Sequence, residues 1–143
     1  MKEINGNLFD YPVICITTNG IIKTNNRLVM GKGIALTAKQ LYPDIDLQLG
    51  LAVKELGNIP HLITHNNQII ISFPTKHHWR DNSDLVLITQ SISNLILLAN
   101  SYTLTNVYLP KVGCGNGNLS WFEVKLLLDK YLDDRFIVVS NYT

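Results

Sequence analysis

Two glycine-rich loops and one lysine-containing segment hold the residues of this chain that could bind a ligand or react with it. The first glycine loop, residues 29–34, reads VMGKGI, and the second glycine loop, residues 112–118, reads VGCGNGN. Glycine lacks a Cβ, so its backbone can approach an anion closely, and each loop leads into a helix-like run whose first N–H groups are unpaired. Two such loops predict a ligand with two phosphates, or with a phosphate and a sugar, held between two walls.

The second glycine loop carries glycines at three alternate positions, 113, 115 and 117. A tight left-handed turn needs only one glycine, so a phosphate cradle is favoured over a plain connection. Cys114 lies among them, and the nearby helix start could activate its thiol as a nucleophile. No histidine or aspartate lies close to it in sequence, which favours a small buried thiol. The GKG of the first loop lacks the Walker spacing, so an NTPase of that class is not expected.

The third segment, residues 72–84, reads SFPTKHHWRDNSD and follows a strand that ends at Pro74. Its lysine, two histidines, tryptophan and arginine could bind phosphate, stack on a base, or supply acid–base or nucleophilic chemistry. A solvated basic loop anchored by Trp79 explains the same composition. A zinc site at His61 and His65 is disfavoured, because no cysteine or carboxylate stands at ligand spacing. Paired carboxylates near a glycine loop, as glycosidases use, are not found in the sequence.

The elements that must position these segments alternate between strand and helix. Residues 13–17 are a β-branched run typical of a strand buried on both faces. Further strands are predicted at 2–5, 62–64, 68–73, 107–109 and 136–140, and helices at 34–41, 46–56, 83–101 and 121–132, with Ser83 and Ser120 as N-caps. A hairpin is expected across Asn66 and Asn67. The alternation predicts an α/β fold with a mostly parallel sheet, whose ligand lies beyond the carboxyl ends of the strands.

The composition predicts one compact domain, residues 1–143. The chain is 46% hydrophobic and 16% charged, and its formal net charge of +1 argues against a purely electrostatic nucleic-acid binder. Its two cysteines fit free thiols in a reducing cytosol. The N-terminus has no signal-peptide pattern, and no apolar run is long enough to span a bilayer. We therefore expect a cytoplasmic monomer without a membrane partner.

Several motifs in a fixed order make the chain similar to a known family. GNLF, a buried strand ending in TTN, VMGKGIALTAKQLYP, SFPTKHHWR and LPKVGCGNGNLSW follow one another over nearly the whole chain. This order resembles the macrodomains, above all the branch with DNA ADP-ribosyl glycohydrolase antitoxins of the DarG type and terminal ADP-ribose protein glycohydrolases. The resemblance implies a three-layer α/β/α sandwich with a mixed, mostly parallel sheet, a cleft for ADP-ribose, no metal or cofactor, and a phage or bacterial source.

The same resemblance implies roles for individual residues. Lys76 matches the lysine on which glycohydrolase activity depends, and Asn19 matches the asparagine near the distal ribose. Asn7 stands where many macrodomains use an aspartate to bind adenine, and Gly117 stands where the terminal glycohydrolases have an aspartate. The implied ligand contacts are Asn7, Leu8, Asn19, Met30, Gly31, Lys32, Gly33, Ile34, Pro74, Thr75, Gly113, Cys114, Gly115, Asn116, Gly117 and Asn118.

The leading hypothesis is an enzyme that hydrolyses ADP-ribose from a conjugate, with Lys76 attacking the anomeric carbon or polarising the linkage. The conjugate could be a nucleobase, and hence ADP-ribosylated nucleic acid, a protein ester or an NAD-derived metabolite. One alternative is a non-catalytic module that binds or sequesters ADP-ribose-type nucleotides. Another is an ADP-ribose 1″-phosphate phosphatase. The insert of residues 20–28, GIIKTNNRL, is expected to lengthen the wall at the distal ribose.

Overall fold

The computed structural model describes residues 1–140 as strands and helices in alternation. A short 3-10 helix, Leu8–Asp10, lies between the first two strands. The remaining elements are β1 (Lys2–Asn5), β2 (Val13–Thr18), α1 (Gly33–Leu41), α2 (Ile45–Leu56), β3 (Leu62–His65), β4 (Gln68–Pro74), α3 (Leu85–Ser101), β5 (Val107–Leu109), α4 (Trp121–Tyr131) and β6 (Phe136–Ser140).

All six strands form one sheet in the order β1-β6-β5-β2-β4-β3. Neighbouring strands are parallel except β3 and β4, which form the antiparallel hairpin expected across Asn66 and Asn67. Asn66 adopts a left-handed φ of 53°, which asparagine tolerates in a turn. The predicted α/β fold with a mixed, mostly parallel sheet is confirmed.

Helices cover both faces of the sheet, because successive side chains of a buried strand point to opposite sides. In β2, Ile14 and Ile16 belong to a core cluster with residues of α1 and α2, such as Ala38 and Leu49. Cys15, between them, belongs to the cluster that α3 and α4 complete. The sheet therefore lies between two helical layers, and β2 contributes to both cores.

The start of α3 differs from the sequence-based expectation. Asp84, not Ser83, is the N-cap, and its carboxylate accepts a hydrogen bond of 2.9 Å from the Val86 amide. Ser83 instead donates its backbone N–H to the Gly117 carbonyl at 2.9 Å. This tertiary contact fixes the residue at which α3 begins. Ser120 does occupy the N-cap position of α4, but its side chain makes no capping hydrogen bond.

The insert of residues 20–28 packs on α2. Arg27 forms ion pairs with Asp46 at 2.8 Å and with Asp44 at 3.1 Å, and the Leu28 amide donates to the Asp46 carbonyl at 2.9 Å. A Cβ at Gly50 would collide with the Asn26 carbonyl oxygen, so this glycine lets the insert and the helix meet closely. The insert thus anchors the polypeptide that enters the first glycine loop.

None of the helices within residues 1–140 is long and apolar enough to cross a bilayer.

Candidate functional site

A cleft of about 470 Å³ opens where β2, β4 and β5 end, at the edge of the sheet where parallel α/β folds bind ligands. Its walls are the first glycine loop, the second glycine loop and the lysine loop, which we define as residues 75–84. The lining residues are Thr17, Thr18, Asn19, Val29, Met30, Gly31, Lys32, Gly33, Ile34, Ala35, Thr75, Lys76, Trp79, Ser83, Pro110, Lys111, Gly113, Cys114, Gly115, Asn116 and Gly117.

Most residues that the resemblance implies as ligand contacts lie in this lining, and four do not: Asn7, Leu8, Pro74 and Asn118. Asn7 caps the short 3-10 helix, and Leu8 is buried in the core beside α1 and α2. The Pro74 carbonyl accepts a hydrogen bond from Ser91, and the Asn118 amide donates to Asn82 at 2.8 Å. Ligand contacts for these four residues, as for the implied residues that line the cleft, stay predictions.

The structure adds lining residues that the sequence did not single out as site residues: Thr17, Thr18, Ala35, Ser83, Pro110 and Lys111. Val29 and Trp79, which belong to segments named from the sequence, line the cleft as well. All of them lie within motifs already quoted, and the order of the strands could have indicated the two threonines at the end of β2. Ser83 was missed because its hydroxyl was assigned to a helix cap. Tertiary packing, which spacing does not reveal, places it in the cleft.

Asn19 holds the first glycine loop against the end of β2. Its side-chain amide donates to the Val29 carbonyl at 2.9 Å, and its carbonyl oxygen accepts from the Ile21 amide at 3.0 Å. Buried Leu28 and Met30 fix the same segment in the core. The loop is therefore pre-positioned, which lowers the entropic cost of binding a ligand.

The glycines that line the cleft are needed for different reasons. Gly33 and Gly113 have left-handed φ values of 58° and 76°, which favour glycine whatever lies nearby. A Cβ at Gly117 would collide with the Ser83 hydroxyl and the Gly113 carbonyl. Gly31 and Gly115 lack any such reason, since a Cβ there would meet no atom within 4 Å. One lies in each glycine loop, where the missing side chain leaves the backbone open to the cleft.

Lys76 reaches across the cleft to the second glycine loop. Its Nζ donates to the Asn116 carbonyl at 3.1 Å and lies 3.5 Å from the Trp79 carbonyl oxygen. Its own carbonyl accepts from the Asn58 amide at 3.1 Å, and the preceding Thr75 amide donates to the Thr18 carbonyl at 3.0 Å. Hydrogen bonds thus hold both the backbone and the side-chain amine of Lys76. The amine connects the lysine loop to the second glycine loop.

The charge of the cleft is positive. Lys32, Lys76 and Lys111 line it, and no aspartate, glutamate or histidine stands among the described residues of its lining. Positive side chains and free backbone N–H groups in a concave site attract anions such as phosphates. The arrangement can therefore hold a diphosphate, with Lys76 as a reactive or polarising amine.

Cys114 does not have the features of an activated nucleophile. Burial raises the pKa of its thiol, and the opposing effect of nearby Lys111 is the smaller one. The sulfur lies 3.4 Å from the Val112 carbonyl oxygen. The Ser83 hydroxyl is also buried in the lining and has no hydrogen-bond partner among the described residues, a property it shares with the Asn58 side-chain oxygen.

The histidines stand apart from the cleft. His61 is buried and its Nε2 lies 2.9 Å from the Gly57 carbonyl oxygen, and the His65 ring packs edge-on against Tyr42. His77 pairs with Asp84 at 3.1 Å on the outer side of the lysine loop. Within residues 1–140, histidine, cysteine, aspartate and glutamate side chains form no group of three or more that could hold a metal ion.

Comparison with known proteins identifies a family and a named relative. Residues 23–127 match the family model described as the Macro domain. The chain is 30% identical over 142 residues to a protein of Thermus aquaticus named DNA ADP-ribosyl glycohydrolase, covering 93% of this chain but only 38% of that relative. It therefore spans well under half of the relative's length.

Two solved structures share the fold over almost the whole chain. The macrodomain of Mycobacterium tuberculosis DarG superposes with a TM-score of 0.80 at 27% identity, covering 96% of this chain and 95% of that one. A structure described as Thermosipho africanus DarTG in complex with ADP-ribose gives a TM-score of 0.83 at 23% identity, covering 98% of this chain and 41% of that one.

Proposed function

Since the chain belongs to the macrodomain family, we propose that it binds ADP-ribose in the cleft and hydrolyses the bond that joins ADP-ribose to a DNA base. The observation that carries this proposal is the placement of Lys76, whose Nζ is held at 3.1 Å from the Asn116 carbonyl between the ligand-binding loops. The relative named DNA ADP-ribosyl glycohydrolase supports the substrate class.

In this proposal the two glycine loops hold the diphosphate. The N–H groups beside Gly31 and Gly115 have no side chain in front of them, so phosphate oxygens can approach within hydrogen-bond distance. Lys32 and Lys111 add positive charge on either side. Holding the diphosphate fixes the distal ribose, and such positioning lowers the barrier to reaction at its anomeric carbon.

Lys76 then acts on the linkage between the distal ribose and the base. As an ammonium, it donates two N–H groups to carbonyls and has a third N–H to polarise the leaving group. As a neutral amine, it has a lone pair that can attack the anomeric carbon. The bond from the anomeric carbon to the base breaks, and the base takes up the proton that the attacking nitrogen loses. The ribose ring then opens to a Schiff base with the lysine, and water hydrolyses it to release ADP-ribose and the free amine. Borohydride reduction would trap the Schiff base and thereby distinguish the two roles.

The test uses an ADP-ribosylated DNA oligonucleotide, with ester-linked ADP-ribosyl protein as a second substrate. We expect Lys76→Ala to lower the rate of release by about 10²–10⁴-fold, as loss of an acid–base group does. Lys111→Ala, which removes a charge from the same lining, should weaken binding but keep turnover. Equal rates for the parent and Lys76→Ala proteins would refute the lysine mechanism, and absence of ADP-ribose binding by calorimetry at millimolar ligand would refute the function.

A second candidate is a module that binds ADP-ribose without hydrolysing it. The observation that favours it is the lack of any carboxylate or histidine in the described lining, since these groups are the commonest general acids and bases. Binding of ADP-ribose by the parent protein without release from either conjugate would establish this candidate over the first.

We also propose that residues 1–143 work as one monomeric domain in the cytoplasm. Free Cys15 and Cys114 would stay reduced in that compartment, which supports the assignment. Light scattering after size-exclusion chromatography tests the monomer, and cell fractionation tests the compartment.

A further inference from the structure

Trp79 lies at the mouth of the cleft, and the fold does not account for its exposure. It lines the cleft and is 44% exposed, and it belongs to neither hydrophobic core cluster nor to the partly buried residues packed on them. Trp121, the other tryptophan, packs against the core beside α3 and α4. A large exposed aromatic ring beside a cleft is the kind of surface that binds another flat group.

Charged neighbours make this ring a platform for an electron-rich aromatic ligand with phosphates. The Arg80 guanidinium lies 5.0 Å from the centroid of the Trp79 ring, and the His78 ring lies 5.2 Å from it, tilted by 36°. Acidic groups in the same loop are Asp81 and Asp84, and the latter is engaged by His77 and by the start of α3. The platform thus combines a stacking face with a guanidinium that can pair with phosphate.

The backbone holds Trp79 in fixed relation to Lys76. The Trp79 carbonyl oxygen lies 3.5 Å from Lys76 Nζ, the Arg80 amide donates to His78 Nδ1 at 3.2 Å, and the Asp81 amide donates to the His78 carbonyl at 3.1 Å. A ligand group stacked on the Trp79 ring would therefore lie near the Lys76 amine, which contacts the backbone of the same tryptophan.

We propose that Trp79 stacks on a nucleobase next to the ADP-ribosylated base of a nucleic-acid strand, with Arg80 toward the adjoining phosphate. This subsite rests on the proposed function, because the modified base must reach Lys76. It would let the protein prefer a modified strand over a modified nucleoside, since each stacked base adds affinity independent of its sequence.

The test compares three ligands: free ADP-ribose, an ADP-ribosylated DNA oligonucleotide, and the same oligonucleotide with abasic residues on both sides of the modified base. In a Lys76→Ala background, which prevents turnover, the advantage of the intact oligonucleotide over free ADP-ribose should fall about tenfold with Trp79→Ala and less with Trp79→Phe. Tyr131→Ala is the matched control, because Tyr131 is 45% exposed, has Lys130 at 5.2 Å from its ring and does not line the cleft.

Fluorescence gives a second readout that does not depend on the stability of a Trp79 variant. In Trp121→Phe protein, Trp79 is the only tryptophan. Its emission should be quenched by the intact oligonucleotide and much less by the abasic one, because a stacked base quenches the ring directly.

Three outcomes are distinguishable. Loss of the oligonucleotide's advantage in Trp79→Ala, with quenching by the intact strand alone, supports the subsite. If the parent binds ADP-ribose but Trp79→Ala keeps the full advantage, or if the abasic strand quenches equally, the subsite is wrong and the proposed function stands. If the parent binds no ADP-ribose, the proposed function fails and the subsite fails with it.

Discussion

Alanine substitutions at Gly115 and Gly117 should have opposite consequences, although the two residues lie in the same loop. A Cβ at position 117 would collide with the Ser83 hydroxyl and the Gly113 backbone, whereas one at position 115 would meet no atom within 4 Å. Overpacking of this kind costs about 1–3 kcal/mol, so we expect Gly117→Ala to lower the free energy of unfolding by that amount. Gly115→Ala should change it by less than about 1 kcal/mol, in the stabilising direction, because alanine restricts the unfolded chain.

Thermal unfolding followed by circular dichroism measures the difference. For a chain of this size, about 1–3 kcal/mol corresponds to a fall in Tm of roughly 3–10 °C. Adding Ser83→Ala to Gly117→Ala should restore part of the loss, because it removes the hydroxyl from the collision. It cannot restore all of it, since the Gly113 carbonyl belongs to the backbone and stays in place.

Affinity for ADP-ribose should be affected differently from stability: Gly115→Ala should lose affinity although its Tm stays normal. A methyl group at position 115 would keep a phosphate oxygen from the loop, and loss of one charge-assisted hydrogen bond costs about 1.5–3 kcal/mol, or roughly ten- to hundredfold in Kd. Calorimetry with ADP-ribose would show this loss in a protein with a normal Tm. Equal Tm losses in both variants, or parental affinity in Gly115→Ala, would refute the assignment of Gly115 to close ligand approach.

Two further predictions concern ionisable groups. The pKa of Asp84 is lowered, chiefly by the hydrogen bond from the Val86 amide and further by the His77 ring. The ionised carboxylate therefore stabilises the fold at pH values above 3.8, the usual pKa, and this stabilisation is lost as the pH falls through the lowered pKa. Asp84→Ala should therefore lower the free energy of unfolding by about 1 kcal/mol at neutral pH, as loss of an N-cap does. In urea unfolding, the difference in this free energy between parent and variant should shrink on acidification. A difference that stays constant with pH would contradict the assignment. Iodoacetamide should label Cys114 slowly in the native protein, because burial raises its pKa, and should leave fully buried Cys15 unmodified. Mass spectrometry that found Cys15 labelled, or Cys114 labelled as fast as in urea, would contradict the described packing.

The sheet and the position of the cleft were predictable because their signals are local. Continuous β-branched runs indicate buried strands, and an asparagine pair between two such runs indicates a hairpin. Once the strands are parallel, the loops that follow them must meet at one edge of the sheet. That reasoning predicts that both glycine loops reach this edge, and the family resemblance adds Lys76 to the same cleft.

The reasons for individual residues were not predictable, because they depend on neighbours far away in sequence. Gly115 and Gly117 look equivalent in VGCGNGN, and only the positions of Ser83 and of the Gly113 backbone distinguish the packed glycine from the open one. Asn19 was expected at a ribose, but its amide also fixes the first glycine loop through Val29. Residues 20–28, whose partners the sequence did not reveal, rest on α2 through Arg27.

The order of the strands has a consequence for how the protein is made. β1 is held in the sheet only by β6, with Lys2 opposite Ile137, and β2 meets β5 only at Ile14 and Tyr108. During synthesis, β1 must wait for most of the chain to leave the ribosome before its partner exists. The first glycine loop likewise remains without its opposite wall until β5 has docked. Such long-range pairing makes folding slow, in the range of milliseconds to seconds, and exposes apolar strands meanwhile. Nascent chains of this protein should therefore depend on chaperones more than its modest size suggests.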